Sequence, residues 1–396
     1  MSGPSHAEAP ASSPGPTAWR VLRAPVPDSL DAPEAWAVHG TARVGEAIDR
    51  EIHGHADLGL DAATVLVTMT AQQEYKRTVR LVAVSGGAGG SGASPAGGPD
   101  PAPVAGDVVG RGLVGLPQKG NTHLAIVYVG VDPAHRGQGV GAALWDECLR
   151  IARDAGRTVI LSDSAHAPEP PPGPGALDSP TGSGRVPLDD PSTRFALSRG
   201  FALEQVMRQS TITVPPPADV VDPLRDTALA AAGDDYRVHL WQDTVPEEWI
   251  DDFAVLETRM STDAPNGGLD LEEDPWDADR VRAASQSFAD RGQGYLVAVA
   301  EHVPSRRLAA FSMVSYPHDR PEVVIQEDTL VLREHRGHRL GMLVKIAVLD
   351  ELARVRPSSR RIHTWNAQEN RHMLAINEAL GFEVASVTAE WQLRLV

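Results

Sequence analysis

A strand that runs into an Arg-Gly turn and on into a helix occurs twice in this chain, and that duplication constrains the fold more than any other feature. Residues 123–141 read HLAIVYVGVDPAHRGQGVG, and residues 323–341 read VVIQEDTLVLREHRGHRLG. The shared His-Arg-Gly stands at 135–137 and again at 335–337. Each is followed by a helix, a short strand and a Gly-Phe pair, Gly200-Phe201 and Gly381-Phe382. Identity between the stretches is low, but the order of elements is the same, so the chain reads as two copies of one domain. A length of 396 residues suits that reading, at roughly 150 residues per domain.

Composition narrows the partners. The net charge of −17 repels phosphate backbones, which argues against nucleic acid; an acidic surface would attract cationic partners such as small amines, but on charge alone solubility is the favoured reading. The single cysteine, Cys148, excludes a disulfide framework and any zinc site built on several thiolates. His53-x-His55 lacks a further ligand at matching spacing, so it reads as a solvated loop and no metal is expected. No apolar run approaches the ~18 residues that a membrane span needs. The first residues are rich in Ser, Pro and Ala, without a basic or apolar signal segment. A cytoplasmic protein with no membrane partner is expected.

Low-complexity stretches divide the chain. Residues 1–17 read as a disordered tail, and 18–214 as the first domain, with Gly/Pro-rich insertions at 86–103 and 167–185. Residues 215–235, opening PPPADVVDP, read as a linker, and 236–396 as the second domain. In the first copy, strands are expected at 81–84, 108–114, 124–131, 158–161 and 210–214. The helix at 141–155 carries Leu144, Cys148, Ile151, Ala152 and Ala155 on one apolar face and stops at Gly156. In the second copy, strands at 237–241, 295–300, 309–316 and 323–332 precede a helix at 342–355, and 387–395 closes the sheet. The fold class is α/β (α+β), each copy a mixed, mostly antiparallel sheet flanked by helices.

The turn carries the chemistry. The first turn of a helix presents unpaired N–H groups with partial positive charge, and glycines let an anion approach them closely. Arg136 adds a full charge, so the turn at Val131, Arg136, Gly137, Gln138, Gly139, Val140 and Gly141 reads as a cradle for a diphosphate. The spacing is not the G-x-G-x-x-G of a dinucleotide fold, and no Gly-Lys-Ser/Thr ending of a Walker loop is present. The pattern Arg-x-x-Gly-x-Gly after a Val-x-Pro strand end resembles the acyl-CoA loop of the GNAT superfamily of N-acetyltransferases. The family's order of strand, loop, helix, strand and helix ending in Leu-Gly-Phe is also similar, and it covers most of both halves. The resemblance implies two GNAT-like domains in tandem, with acetyl-CoA as cosubstrate.

The second copy departs from the loop pattern at Val331, Arg336, Gly337, His338, Arg339, Leu340 and Gly341, where Arg339 replaces the middle glycine and offers charge instead. The resemblance further implies that Asn370 contacts the pantetheine arm. Asn377 stands where the family often has a tyrosine that protonates the leaving thiolate; Ala196 stands there in the first copy. Deprotonating an alkylammonium needs a carboxylate. Strand alternation puts Glu327 on the face of Ile325, one step nearer the loop, and makes it the expected base. Asp328 faces the other way unless the strand bulges, as it usually does in this family. The strand at 125–130 has no carboxylate. Chemistry is therefore expected in the second copy, with backbone N–H groups near Val331 polarising the acetyl carbonyl. The acids of 260–274 could receive a cationic amine, or form no more than a polar loop. The function these readings imply is acetyl-CoA-dependent N-acetylation of a small amine. The alternatives are an acyl-CoA-binding sensor or scaffold without catalysis, and nucleotide binding unrelated to CoA.

Overall fold

The computed structural model describes residues 19–71, 74–85 and 103–395. The expected tail at 1–17 and nearly all of the insertion at 86–103 lie outside them. In the first copy β1 (Trp19–Arg23) precedes α1 (Trp36–His53) and α2 (Ala62–Thr70). The meander β2 (Lys76–Ser85), β3 (Val108–Pro117) and β4 (Leu124–Val131) leads into α3 (Val140–Asp154) and β5 (Val159–His166). A hairpin of β6 (Ala176–Asp178) and β7 (Arg185–Pro187), then α4 (Pro191–Ser198) and β8 (Ala202–Thr213), complete it. The stretch 167–185 is therefore a built hairpin as well as an insertion.

The second copy repeats the plan. Its elements are β9 (Tyr236–Gln242), α6 (Ile250–Asp263), α7 (Ala278–Asp290), β10 (Gln293–His302), β11 (Arg307–Pro317) and β12 (Val323–Val331). They are followed by α8 (Leu340–Val355), β13 (Arg361–Ala367), α9 (Arg371–Leu380) and β14 (Glu383–Arg394). The expected linker at 215–235 is corrected: it holds the helix α5 (Ala218–Ala232), whose Val221, Ala228 and Ala232 join the second copy's core beneath α8. Apolar spacing along α5 outweighs its internal Pro223, which lies in the helix's second turn.

The sheets of the two copies are one. The strand order is β1-β2-β3-β4-β5-β14-β8-β13-β12-β11-β10-β9. The last strand of each copy crosses to the other: β14 pairs antiparallel with β5, and β8 pairs antiparallel with β13. The two crossing strands also pair with each other. So 387–395 does close a sheet, but it is the first copy's. Trp391, 1 % exposed, packs in the first copy's core with Trp145 and Phe201, although the sequence places it at the far end of the second copy.

In both copies a parallel pair parts to form a V. β12 and β13 pair only at Val323–Ile325 with Arg361–His363, and β4 and β5 only at Leu124–Ile126 with Val159–Leu161. Strands that diverge beside a helix N-terminus leave a slot leading down from that helix end, and this slot positions the site.

Candidate active site

The second copy's V opens into a cleft of about 850 Å³. At its mouth lies the turn into α8. Gly337 has φ +93° with open space where a Cβ would be, and Arg339 is left-handed at φ 54°. Arg339 thereby takes the shape that Gly139 takes in the first copy, φ 88°. An L-residue meets a cost of roughly 1–2 kcal/mol there, but the path of the backbone is kept. Arg336, Gly337, Arg339, Leu340, Gly341 and Val331 all line the cleft. Arg336 folds back: its Nε donates to the Val331 carbonyl (3.2 Å), and its Nη2 pairs with Asp263 (2.9 Å). It thus fixes the turn, while the α8 amides face the cleft mouth. His338 stands outside the cleft lining, its ring against Tyr236.

Deeper, β12 bulges. Ser312 of β11 is opposite Thr329 and Val314 is opposite Gln326, so Glu327 and Asp328 share the space across from Met313. The bulge turns both carboxylates into one group with Glu257 of α6. Glu327 accepts a hydrogen bond from the Ser315 hydroxyl. Protein encloses it on most sides, yet the cleft leaves it open to water. Burial pushes the Glu327 carboxyl above its ordinary value, partly offset by Ser315 and by the Arg291 guanidinium. Burial, helped by the Glu327 charge, raises Asp328 to about 6. Burial and the Asp328 charge raise Glu257 to about 8. Carboxylates held in this range can take a proton from an ammonium near neutral pH.

The far wall is β13 and α9. Thr364, Trp365, Asn366 and Asn370 line the cleft. Asn370 caps α9, its Oδ1 accepting from Met373 N at 3.2 Å, so its amide N–H₂ is left to donate. Asn377 is 2 % exposed and behind the wall, where its Nδ2 donates to Asn366 Oδ1 at 2.6 Å. Its own Oδ1 is buried without a partner. Asn377 therefore acts through Asn366, which it fixes in place.

The first copy's turn has the same backbone. Gly137 (φ 74°) and Gly139 (φ 88°) are left-handed, and Gly137 has open space around it. Arg136 likewise donates to the Val131 carbonyl and pairs with Glu51 at 2.6 Å. Gln138 is exposed, Val140 is buried, and Gly141 lies against Val131 and Phe195. Two things differ below the turn. β4 pairs with β3 in unbroken register from Gly110–Val131 to Gly115–Ile126, so it has no bulge. The carboxylates come instead from β5 and from the crossing strand, Asp163 opposite Glu390. Burial raises Asp163 to about 6 and Glu390 to about 8, and the Tyr128 hydroxyl donates to Asp163.

Comparison with known proteins supports the same fold. The acetyltransferase (GNAT) family model matches residues 93–167. A tandem GNAT protein from the clavulanic acid biosynthesis pathway superposes with a TM-score of 0.69 at 23 % identity, over 95 % of this chain and 98 % of that one. The chain therefore has the fold of a tandem GNAT protein over nearly its whole length, and a stretch of its first copy matches the GNAT family model. A GCN5-related N-acetyltransferase from Sphaerobacter thermophilus shares the fold at TM-score 0.56 and 14 % identity, over 96 % of each chain. The sequence matches no curated protein significantly.

Within this tandem fold, two expectations need correction. Among the described residues, Asp263 alone of the acids of 260–274 lines the cleft, and it is already paired. Asp270 pairs with Arg394, Asp274 with Arg280, Glu273 with Arg259, and Asp263 with Arg333 and Arg336. The Asn121 side chain donates to the Glu272 carbonyl and accepts from the Glu272 N–H, which ties this loop to the first copy. The other acids that line the cleft are Glu327 and Asp328, with Glu257 of α6 close behind them. The histidine pair is not a solvated loop either. His55 packs on His363 of β13, and Asp57 accepts from Arg361 and from His363 Nε2 at 3.2 Å. His55, Asp57 and His363 are within reach of one ion, but the Arg361 guanidinium, 2.5 Å from Asp57, already neutralises the carboxylate. A ligand contributed about 300 residues away leaves no local spacing to read.

Cys148 is buried as expected, and burial pushes its thiol up to about 12. Among the described residues no helix is long and apolar enough to cross a membrane.

Proposed function

We propose that the protein transfers the acetyl group of acetyl-CoA to a small cationic amine, and that the second copy's cleft performs the transfer. The observation that carries this reading is the coincidence, in one cleft, of an open helix N-terminus, a bulged strand and a group of carboxylates shifted toward neutrality. The first copy has the helix end and the acids, but not the bulge.

The residues present suit the cosubstrate. The α8 amides and Arg339 would hold the diphosphate, and Asn370 would donate to the amides of the arm. Acetyl-CoA supplies an acyl group activated as a thioester. Glu327, with Asp328 beside it, takes the proton from the incoming ammonium, so that a neutral amine is presented for attack. N–H groups of β12 between the bulge and Val331 face the slot where an oxyanion would develop. The net charge of −17 and the acids of the cleft favour a cationic acceptor. The single buried thiol suits a cytoplasmic setting.

Neither copy has a tyrosine at the position the family often uses as acid; Asn377 and Ala196 stand there. That observation favours a second reading, binding of acyl-CoA without turnover. Incubation with acetyl-CoA and a panel of primary amines, following free thiol, separates the two. Amine-dependent thiol release that is lost in Glu327→Gln supports transfer. Tight CoA binding with no release from any amine supports the sensor.

A further inference from the structure

Lys345 of α8 is the one lysine lining the cleft, and it is 2 % exposed. Its Nζ donates to Gln326 Oε1 at 3.2 Å and lies 5.6 Å from the centre of the Phe382 ring. Among the described residues it pairs with no carboxylate. The Gln326 amide cannot turn away, because its Nε2 donates to Ser312 Oγ (3.1 Å) and to the Met313 carbonyl (2.6 Å). Gln326 is also the first β12 residue beyond the last β12–β13 pair. Lys345 is therefore held at the floor of the V, about 16 Å of strand below Val331 and the phosphate cradle. A CoA arm anchored at that cradle carries its sulfur at the end farthest from the diphosphate, toward this floor.

Attack on a thioester expels a thiolate, which must gain a proton. The other cleft groups are poorly placed to give one. His335 Nδ1 is tied to the Tyr236 hydroxyl at 2.9 Å, His372 stands exposed in the first turn of α9, and Asn377, behind the wall, points its N–H₂ at Asn366. The carboxylates gather instead around Glu257 of α6, and α6 packs against the sheet in a core separate from the one α8 belongs to. Resting on the transferase reading above, we infer that Lys345 is the acid that protonates the departing thiolate in the second copy's cleft.

In that step the amine nitrogen bonds to the acetyl carbon, the C–S bond breaks, and its electron pair goes to sulfur. One Lys345 N–H proton moves to sulfur, leaving free thiol and a neutral lysine that is reprotonated from the cleft water. The ammonium proton taken by the carboxylates and the one shed by the new amide nitrogen leave a net release of one proton per turnover. Burial depresses the ammonium to about 7, below an ordinary thiol, so the transfer runs downhill. None of the charged groups on the elements around it shifts it, neither Glu327 and Asp328 of β12, Asp350 of α8, Arg225 of α5 nor Glu378 of α9.

The chain contains three lysines, Lys76, Lys119 and Lys345, so an NMR titration of ε-¹³C-labelled lysine reads Lys345 directly. One resonance should titrate near neutrality and vanish in Lys345→Met. With an amine that the wild type accepts, Lys345→Met and Lys345→Arg should both lower kcat by about 10²-fold. The CoA Kd should stay within about twofold, and the alkaline fall in kcat should disappear. Arginine keeps the charge but holds its proton, so wild-type kcat in Lys345→Arg would overturn the inference. So would an ordinary lysine titration near 10, or an unchanged alkaline limb in Lys345→Met. A wild type that binds CoA but acetylates no amine would instead bring down the transferase reading, and this inference with it.

Discussion

At the scale of single residues, the site is a set of proton positions. Glu327 could be read from the sequence because strand alternation and the distance to the turn fix its face. Asp328 was reachable only through the bulge that the family resemblance implies, since a one-residue bulge reverses its direction and leaves no mark in the residue pattern. Lys345 is the least legible of all: in an apolar helix it looks like a surface residue, and only the packing around α8 shows it buried. With both acids acting together, Glu327→Gln and Asp328→Asn should each lower kcat by roughly 10²-fold with little change in CoA affinity. The acidic limb of the wild-type rate profile should fall near 6, where burial places Asp328, above the ordinary carboxylate range.

Glu257 gives a prediction about stability. Its folded value, about 8, lies above the unfolded one, so the folded protein holds a proton that the unfolded chain releases. That contribution is complete below the unfolded value and is lost as pH rises through about 8. Glu257→Gln should therefore match wild-type stability near pH 4 and exceed it at pH 9, by on the order of 1–3 kcal/mol. Urea unfolding at the two pH values measures the difference, and equal gains at both would contradict the assignment.

At the scale of elements, two strand–turn–helix units with the same backbone differ in what they present. The glycine-rich turns were legible because helix starts and left-handed glycines have strong residue preferences. Arg339 is the exception, a non-glycine in the left-handed region. Arg339→Gly should stabilise the fold by about 1 kcal/mol, through relief of the left-handed cost, while weakening CoA binding through loss of charge at the cradle. Thermal unfolding and calorimetric titration read the two effects separately, and tighter CoA binding would show that Arg339 obstructs the turn. α5 was not legible as a helix because its opening prolines and alanine run look like a linker. Its apolar face has meaning only against α8.

At the scale of the whole molecule, the duplication was legible and the crossing of strands was not. Either copy's last strand has the same alternating pattern whichever sheet it joins, so register alone cannot say where it goes. The crossing makes each cleft depend on both halves: β14 supplies Glu390 to the first, and β8 supplies Met207 to the second. Residues 18–214 and 215–396 expressed separately should each expose a bare sheet edge and aggregate, whereas co-expression should recover a soluble pair. Soluble, monomeric halves would show that the exchange does not matter for folding.

The central claim is that the second cleft, and not the first, performs the transfer. Thiol release from acetyl-CoA with an accepted amine should be compared between Glu327→Gln/Asp328→Asn and Asp163→Asn/Glu390→Gln, with CoA stoichiometry measured on each. The account predicts that the first pair abolishes release with CoA still bound, and that the second leaves kcat within about threefold of wild type. Abolition by the Asp163 and Glu390 pair, with full activity in the Glu327 and Asp328 pair, would contradict it.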